Sequence, residues 1–278
     1  MTARQDAYFE ALGTYFGGEV DLLDSLDAQN PIHRYIRRES LATLERSFAP
    51  PGPLLEIGYG TGFEAVHLAK RGFRVVGVDP SAQMQARARA RAGAEGVSVG
   101  CDFRLGSTAS LASLLEEFGV GAFRGAYSTL GPFNCEPDLP ATARLLGRLL
   151  APGSPLVALM INRYCVWETA LYLAAGDFRR AFRRQVRGWG DLEGENGGPP
   201  IPVFTYTPAS FAKAFESHFA VKELFALPFA LPPPYVADRF RRAGGLLALF
   251  EAADVRLRRR AVLRGLGDHF EVVLRSNP

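Results

Sequence analysis

Five residues between positions 54 and 81 have the types and spacing to hold a charged, nucleotide-like ligand: Glu56, Gly58, Gly60, Gly62 and Asp79. Glycine at every second position lets the backbone turn sharply and lets a ligand approach where a β-carbon would collide. Asp79 stands 21 positions after Gly58, the spacing at which a strand-end carboxylate meets a ribose in nucleotide-binding βαβ units. The dinucleotide fingerprint G-x-G-x-x-G would need a glycine at position 63, where this chain has Phe63. Glu56, two residues ahead of the first glycine, is poorly placed beside a pyrophosphate and well placed beside an ammonium or sulfonium group. The pattern favours S-adenosylmethionine over NAD.

Regular elements must position these groups. Leu54, Leu55 and Ile57 follow a run of Pro50, Pro51, Gly52 and Pro53, which predicts a short buried strand bounded by breakers. Ala65, Val66, Leu68 and Ala69 recur at helical spacing up to Gly72, and Val75, Val76 and Val78 form the next strand, ending at Asp79. Pro80 and Ser81 open a second helix, in which Arg87, Arg89 and Arg91 are read as solvated charge. A third strand is expected at Cys101–Leu105, a fourth within the stretch 122–135 and a fifth over Pro155–Asn162. Ser128, Thr129, Gly131, Asn134 and Cys135 then lie at the carboxyl end of the fourth strand, where open α/β sheets bind ligands.

The residues E-I-G-Y-G-T-G, followed by V-D-P-S, resemble motif I and the second-strand motif of the class I S-adenosylmethionine-dependent methyltransferases. L-L-A-P-G-S at 149–154 resembles the family's L-L-x-P-G-G turn, so the matches run in order from Leu54 to Asn162. The resemblance implies a Rossmann-like α/β fold, a doubly wound, mostly parallel seven-stranded sheet of order 3-2-1-4-5-7-6 with the last strand antiparallel. It also implies a cofactor site with Glu56, Gly58, Tyr59, Gly60 and Gly62 at the methionine end, Asp79 and Pro80 at the ribose, and Met84 against the adenine. Ser107 stands where the family commonly has an aspartate for the adenine amino group, with Thr108 beside it; Ser128 and Thr129 complete the set.

Composition bounds the alternatives. The 278 residues, 47% hydrophobic, suffice for one large domain, and a formal charge of +3 gives no general reason to expect nucleic acid. Cys101, Cys135 and Cys165 are scattered and lack clustered histidines, which indicates neither a disulfide framework nor a metal site. The first residues do not read as a signal peptide, and no apolar run reaches the ~18 residues of a membrane helix. A reduced cytoplasmic protein is expected.

Residues 1–49 read as an N-terminal helical cap on a methyltransferase domain over 50–278. Two helices are expected in the cap, with an acidic stretch broken by Pro31 between them; in the family such a segment closes over the cofactor, bringing Tyr15, His33, Arg34, Arg37 and Arg38 to the mouth. Within the domain, 163–203 reads as a helical and loop lid and 228–264 as a helical segment shaping the substrate pocket. Tyr15, Asn134, Arg163, Trp167 and Tyr235 are the candidate substrate contacts. His269, His33 and Tyr164 are the groups that offer a base, of which His269 and Tyr164 are the catalytic candidates. The expected activity is in-line transfer of a methyl group to an O, N or C acceptor on a small, partly apolar metabolite. Two other readings remain: a nucleic-acid methyltransferase using the basic helix Arg179–Arg187, and a cofactor-binding protein without methyl transfer.

Overall fold

The computed structural model describes residues 3–186, 190–192, 201–240 and 244–278. Among the described residues there are nine strands: β1 (Pro53–Ile57), β2 (Arg74–Asp79), β3 (Cys101–Leu105), β4 (Gly125–Ser128), β5 (Pro155–Ile161), β6 (Gly190–Leu192), β7 (Ile201–Val203), β8 (Phe219–Ala226) and β9 (His269–Ser276). Seven of them form one sheet in the order β3-β2-β1-β4-β5-β9-β8, and β6 pairs with β7 as a separate hairpin. Strands β1 to β5 are parallel, and β9 runs antiparallel between β5 and β8. This is the expected topology, with the insertion hairpin counted before the last two sheet strands.

Alternation along β1 separates two cores. Leu55 and Ile57 join Val76, Val78, Ala158 and the phenylalanines Phe211, Phe215 and Phe270 on one face. Leu54 joins Val75, Tyr127, Val157 and the small residues Ala65, Ala88 and Ala92 on the other. Both faces are covered, as parallel strands require, and strands β1, β2 and β5 accordingly read as near-continuous apolar runs. Edge strand β8 carries Lys222 and Glu223 and a register shift between Val221 and Glu223, features that discourage pairing with another chain.

The N-terminal cap contains three helices rather than two: α1 (Ala3–Gly18), α2 (Val20–Gln29) and α3 (Pro31–Ser47). The acidic stretch expected as a break is α2. Its Asp21 and Asp24 are paired from helix α5 (Ala82–Ala94), where Arg87 reaches Asp24 at 2.7 Å and Asp21 at 2.6 Å, and Arg91 also pairs with Asp24. Arg87 and Arg91 are therefore not solvated charge; they dock the cap. Asn30 caps α3 by accepting from the backbone N–H of Ile32 and His33, and Pro31 occupies the first turn.

Helix α4 (Phe63–Ala69) follows the glycine turn, and α6 (Leu111–Phe118) and α7 (Leu139–Leu149) cover the opposite face. The described residues of the insertion include three short helices, α8 (Val166–Ala174), α9 (Phe178–Ala181) and α10 (Arg183–Val186). Gly176, at φ +73°, breaks the first from the second. Arg187 of the expected basic helix, and most of the loop after it, lie outside the described residues. Helix α11 (Pro208–Phe215) has a Thr207 and Ser210 capping box. Within the expected helical segment 228–264, helix α12 (Gly244–Leu257) ends early, and residues 258–268 continue as turns.

Candidate cofactor and acceptor site

A cavity of about 390 Å³ opens at the carboxyl ends of β1, β2, β4 and β5, roofed by α1, α2 and α3. Its roof is apolar, from Phe9, Leu12, Phe16, Leu23, Leu26 and Ile36. Its floor carries the polar groups among apolar strand ends, and β1, β2, β4 and β5 all end there because the parallel sheet aligns those ends, while antiparallel β9 begins there at His269.

The three glycines of the turn serve three purposes. Gly58 has φ +74°, and a β-carbon there would lie 2.4 Å from Pro132 Cγ. Gly62 has φ +76° and caps α4; its missing side chain admits Ala88 and Phe103, so it packs α4 on α5. Gly60, at φ +50°, has no heavy atom within 4 Å of where a β-carbon would stand, and it lines the cavity. A β-carbon at Gly60 would project into open space. Tyr59 contributes wall too, but its ring is buried at 4.9 Å from Phe103 and its hydroxyl donates to the Arg104 carbonyl.

Asp79 closes β2. Its Oδ2 accepts from the Gly60 N–H at 2.9 Å and its Oδ1 from the Ser81 N–H at 3.0 Å. Burial pushes its pKa up to about 6 against those two bonds. Each oxygen retains a lone pair for a hydroxyl donor. Pro80 and Met84 line the wall beside it.

Glu56 lies beneath the turn, outside the cavity wall, with Oε2 buried and lacking a hydrogen-bond partner. Burial and the neighbouring Glu64 hold its carboxyl well above the ordinary range. Glu64 itself reaches the cavity, as does Arg37 of α3, whose guanidinium lies 3.5 Å from Glu64 and over the Phe63 ring. Sequence reasoning missed Glu64; its position in the first turn of the helix after a glycine loop is the signal that points to it.

Ser107 and Thr108 line the far end. The Ser107 hydroxyl accepts from the Ala109 N–H at 3.2 Å, and Thr108 donates to Glu136, another cavity residue absent from the sequence prediction. Thr129 faces the cavity, whereas Ser128 is buried behind it with no hydrogen-bond partner for its hydroxyl.

These residues fit S-adenosylmethionine. Glu64 in the wall suits a cation near the glycine turn, a strand-end carboxylate with free lone pairs suits vicinal hydroxyls, and an apolar methionine with neutral hydroxyls suits an adenine.

The acceptor candidates are dispersed. Asn134 lines the cavity, but its amide donates to the Ile161 and Phe204 carbonyls and accepts from the Ile161 N–H, bracing the loop after β4. Tyr15 lies outside the wall, edge-on to Phe16, which is part of it. Also outside are Arg163, which donates to the Gln185 carbonyl, Trp167, which donates to the Ala230 carbonyl, and Tyr235, which donates to Glu168. Tyr164 is 44% exposed and not in the wall. His33 and His269 both line the cavity. Among the described residues, the insertion supplies only Val203 and the 228–264 segment only Pro234.

His269 Nδ1 lies 3.0 Å from Asp268 Oδ2. Burial alone would raise the Asp268 carboxyl, but His269 and Arg184 outweigh it and hold the group well below the usual carboxylate range. Arg183 and Arg184 of the basic stretch point inward, both onto Glu168, and Arg180 pairs with Asp177. A phosphate-binding face has lost those two cations. Among the described residues no group of His, Cys, Asp and Glu is arranged to hold a metal ion, and no helix is long and apolar enough to cross a membrane.

Residues 54–153 match a family described as methyltransferase domain. No curated protein sequence matches the chain. Among solved structures, a putative methyltransferase of Haloferax volcanii, determined in complex with the Trm112 methyltransferase activator, is similar at 16% identity and a TM-score of 0.59, over 95% of this chain and 97% of that one. A geranyl diphosphate C-methyltransferase from Streptomyces coelicolor is similar at 16% identity and a TM-score of 0.54, over 86% and 75%. The [4+2]-cyclase SpnF is similar at 17% identity and a TM-score of 0.54, over 87% and 81%. At such identities the likeness is one of fold.

Proposed function

We propose that this chain, whose residues 54–153 match a methyltransferase-domain family, uses S-adenosylmethionine to methylate a small, partly apolar molecule at an oxygen, nitrogen or carbon atom. The observation that carries this reading is one cavity whose wall includes Asp79, Met84, the glycine turn and His269, under an apolar roof. One end has the groups for the cofactor and the other the walls for an acceptor.

The cofactor supplies an electrophilic methyl group on a sulfonium. Asp79 would accept from the ribose hydroxyls while Gly60 leaves the approach open. Glu64 would meet the cationic methionine end. Met84 and the Ser107 and Thr108 hydroxyls would hold the adenine, with Thr129 and Leu130 in the same wall. Holding donor and acceptor in line supplies ~7–11 kcal/mol of barrier reduction with little covalent help from the protein. The roof of α1 to α3 keeps water from competing as acceptor. His269 is the side chain in the wall suited to take a proton, while Arg163, Trp167 and Tyr235 bond to the Gln185 carbonyl, the Ala230 carbonyl and Glu168 outside the wall.

A geranyl diphosphate C-methyltransferase on the same fold accepts a small substrate with an apolar body, and the inward pairing of Arg183 and Arg184 argues against a nucleic-acid acceptor. The test is incubation with S-adenosylmethionine and a panel of phenols, amines and carboxylic acids, read by mass spectrometry. Formation of S-adenosylhomocysteine together with a product one methyl group heavier is expected. Tight S-adenosylhomocysteine binding with no methylated product from any acceptor would return the reading to a cofactor-binding protein or, as for the cyclase, to other chemistry on this fold.

A further inference from the structure

We propose that the acceptor group is a weakly acidic hydroxyl on an apolar body, and that the buried pair Asp268 and Arg184 fixes His269 in the tautomer that removes its proton. This rests on the methyltransferase reading and adds the acceptor class and two positioning residues to it.

His269 opens β9 in register with Ile161 at the end of β5, and both face the cavity. Behind it Asp268 is buried, and each of its carboxylate oxygens has a different neighbour. Oδ2 lies 3.0 Å from His269 Nδ1, and Oδ1 accepts from Arg184 Nη2 at 2.7 Å. The first contact is at ion-pair distance without the alignment of a straight hydrogen bond, a geometry that catalytic pairs often tighten only around substrate. The second is locked: Arg184 also donates from Nη1 to the Asp268 and Asn162 carbonyls, at 3.0 and 3.1 Å, and from Nη2 to Glu168 at 2.8 Å. The Asp268 carboxylate cannot swing away from the ring.

Its ionised state sets the tautomer. A carboxylate only accepts, so Nδ1 must carry the hydrogen and Nε2 keeps its lone pair. The surrounding charge leaves room for a proton. Arg183 and Arg184 balance Glu168 and Asp268, and Tyr235 donates to Glu168 at 2.6 Å. Cys165 and Glu168 are the other titratable groups around Asp268 and Arg184, while His33, Arg37, Tyr59, Glu64, Asp79, Cys135 and Glu136 line the same cavity as His269. Ion networks of this depth are costly to desolvate and weak contributors to stability compared with apolar packing. Keeping one behind a cavity histidine is reasonable where the histidine needs it.

A base is of use to an acceptor that has a proton to lose. In the step, the acceptor O–H proton passes to Nε2, the oxygen lone pair forms the new O–CH3 bond, and the C–S bond breaks with its electrons going to sulfur. The products are a methyl ether, S-adenosylhomocysteine and a protonated His269 that returns its proton to solvent. Ile36, Leu130, Ile161, Val203 and Pro234 supply the apolar wall for the rest of the acceptor.

The chain has four histidines, so long-range 1H–15N spectra of 15N-histidine-labelled full-length protein can resolve each ring, with His269→Gln identifying its signal. The wild type is expected to show the Nδ1–H form for His269, and Asp268→Asn to shift it toward Nε2–H. Arg184→Lys keeps a cation at the site and should give an intermediate population. With a panel of phenols, His269→Gln and Asp268→Asn should each lower turnover by ~10²-fold or more, while S-adenosylhomocysteine affinity by calorimetry stays within about threefold. An unchanged tautomer in Asp268→Asn, or undiminished phenol methylation in His269→Gln, would overturn the proposal. Loss of S-adenosylhomocysteine binding by the wild type would instead remove the reading beneath it.

Discussion

Substituting alanine at Gly60 and at Gly62 should separate cofactor binding from folding, because the two positions share a left-handed backbone and differ in what a β-carbon meets. At Gly60, φ is +50° and no heavy atom lies within 4 Å. Alanine there costs about 1–2 kcal/mol of backbone strain, offset by about 0.4–1 kcal/mol from a less flexible unfolded chain. The net of about 1 kcal/mol should lower the thermal midpoint by about 2–4 °C. At Gly62 the same strain is joined by a β-carbon 2.7 Å from Ala88 Cβ and 3.1 Å from Phe103 Cζ. Overpacking adds about 1–3 kcal/mol, so its midpoint should fall two to four times as far. Affinity should show the reverse. Gly60→Ala fills space that the cofactor needs and should weaken S-adenosylhomocysteine binding at least tenfold, about 1.4 kcal/mol, while folded Gly62→Ala binds nearly as the wild type. Differential scanning fluorimetry and calorimetry on the same samples give both numbers. Gly60→Ala binding as tightly as the wild type would refute the assignment of the turn as the cofactor cradle.

Glu271, fully buried in β9, accepts from the hydroxyls of Ser40 and Thr43, and burial pushes its pKa from 4.5 to about 7. The native state then holds this proton more tightly than the unfolded chain, so stability present below about pH 4.5 is lost as pH rises to about 7, some 3 kcal/mol in all. Asp79, raised to about 6, contributes in the same direction. Chemical denaturation across that range should show a much shallower decline in Glu271→Gln; an unchanged slope would contradict the origin assigned to it. Asn134→Ala should cost about 2–3 kcal/mol in urea unfolding at unchanged m-value, since it orphans the buried Ile161 N–H and the Phe204 carbonyl. A cost below about 0.5 kcal/mol would show that the brace is dispensable.

How much of this was legible in sequence depends on the distance between partners. The glycine turn and Asp79 could be read because they lie within one βαβ unit, whose strands and helix announce themselves by apolar spacing. The roles within that unit could not. Gly62 packs on Ala88, and the Tyr59 ring is buried against Phe103, because residues far along the chain return to the turn. Helix α2 escaped notice because its Asp21 and Asp24 are paired with Arg87 and Arg91, on a helix more than fifty residues later. Glu56 has the motif position, yet β1 directs it beneath the turn and leaves Glu64 at the cavity. The insertion reads as an aromatic and basic helix, but whether its arginines face solvent or protein depends on Glu168 and Asp268. Arg184 is 84 residues from the latter, and no local pattern encodes that pairing.

The central claim is a methyl-donor site at the carboxyl ends of β1 and β2. Calorimetric titration of the wild type and of Asp79→Ala with S-adenosylhomocysteine and with NAD tests it most directly, with circular dichroism to show that the variant keeps its fold. The wild type should bind S-adenosylhomocysteine and not NAD, and Asp79→Ala should lose about 1.5–3 kcal/mol, roughly ten- to a hundredfold in affinity, for the charged hydrogen bonds removed. Binding of NAD without S-adenosylhomocysteine, or an unchanged affinity in Asp79→Ala, would contradict the account.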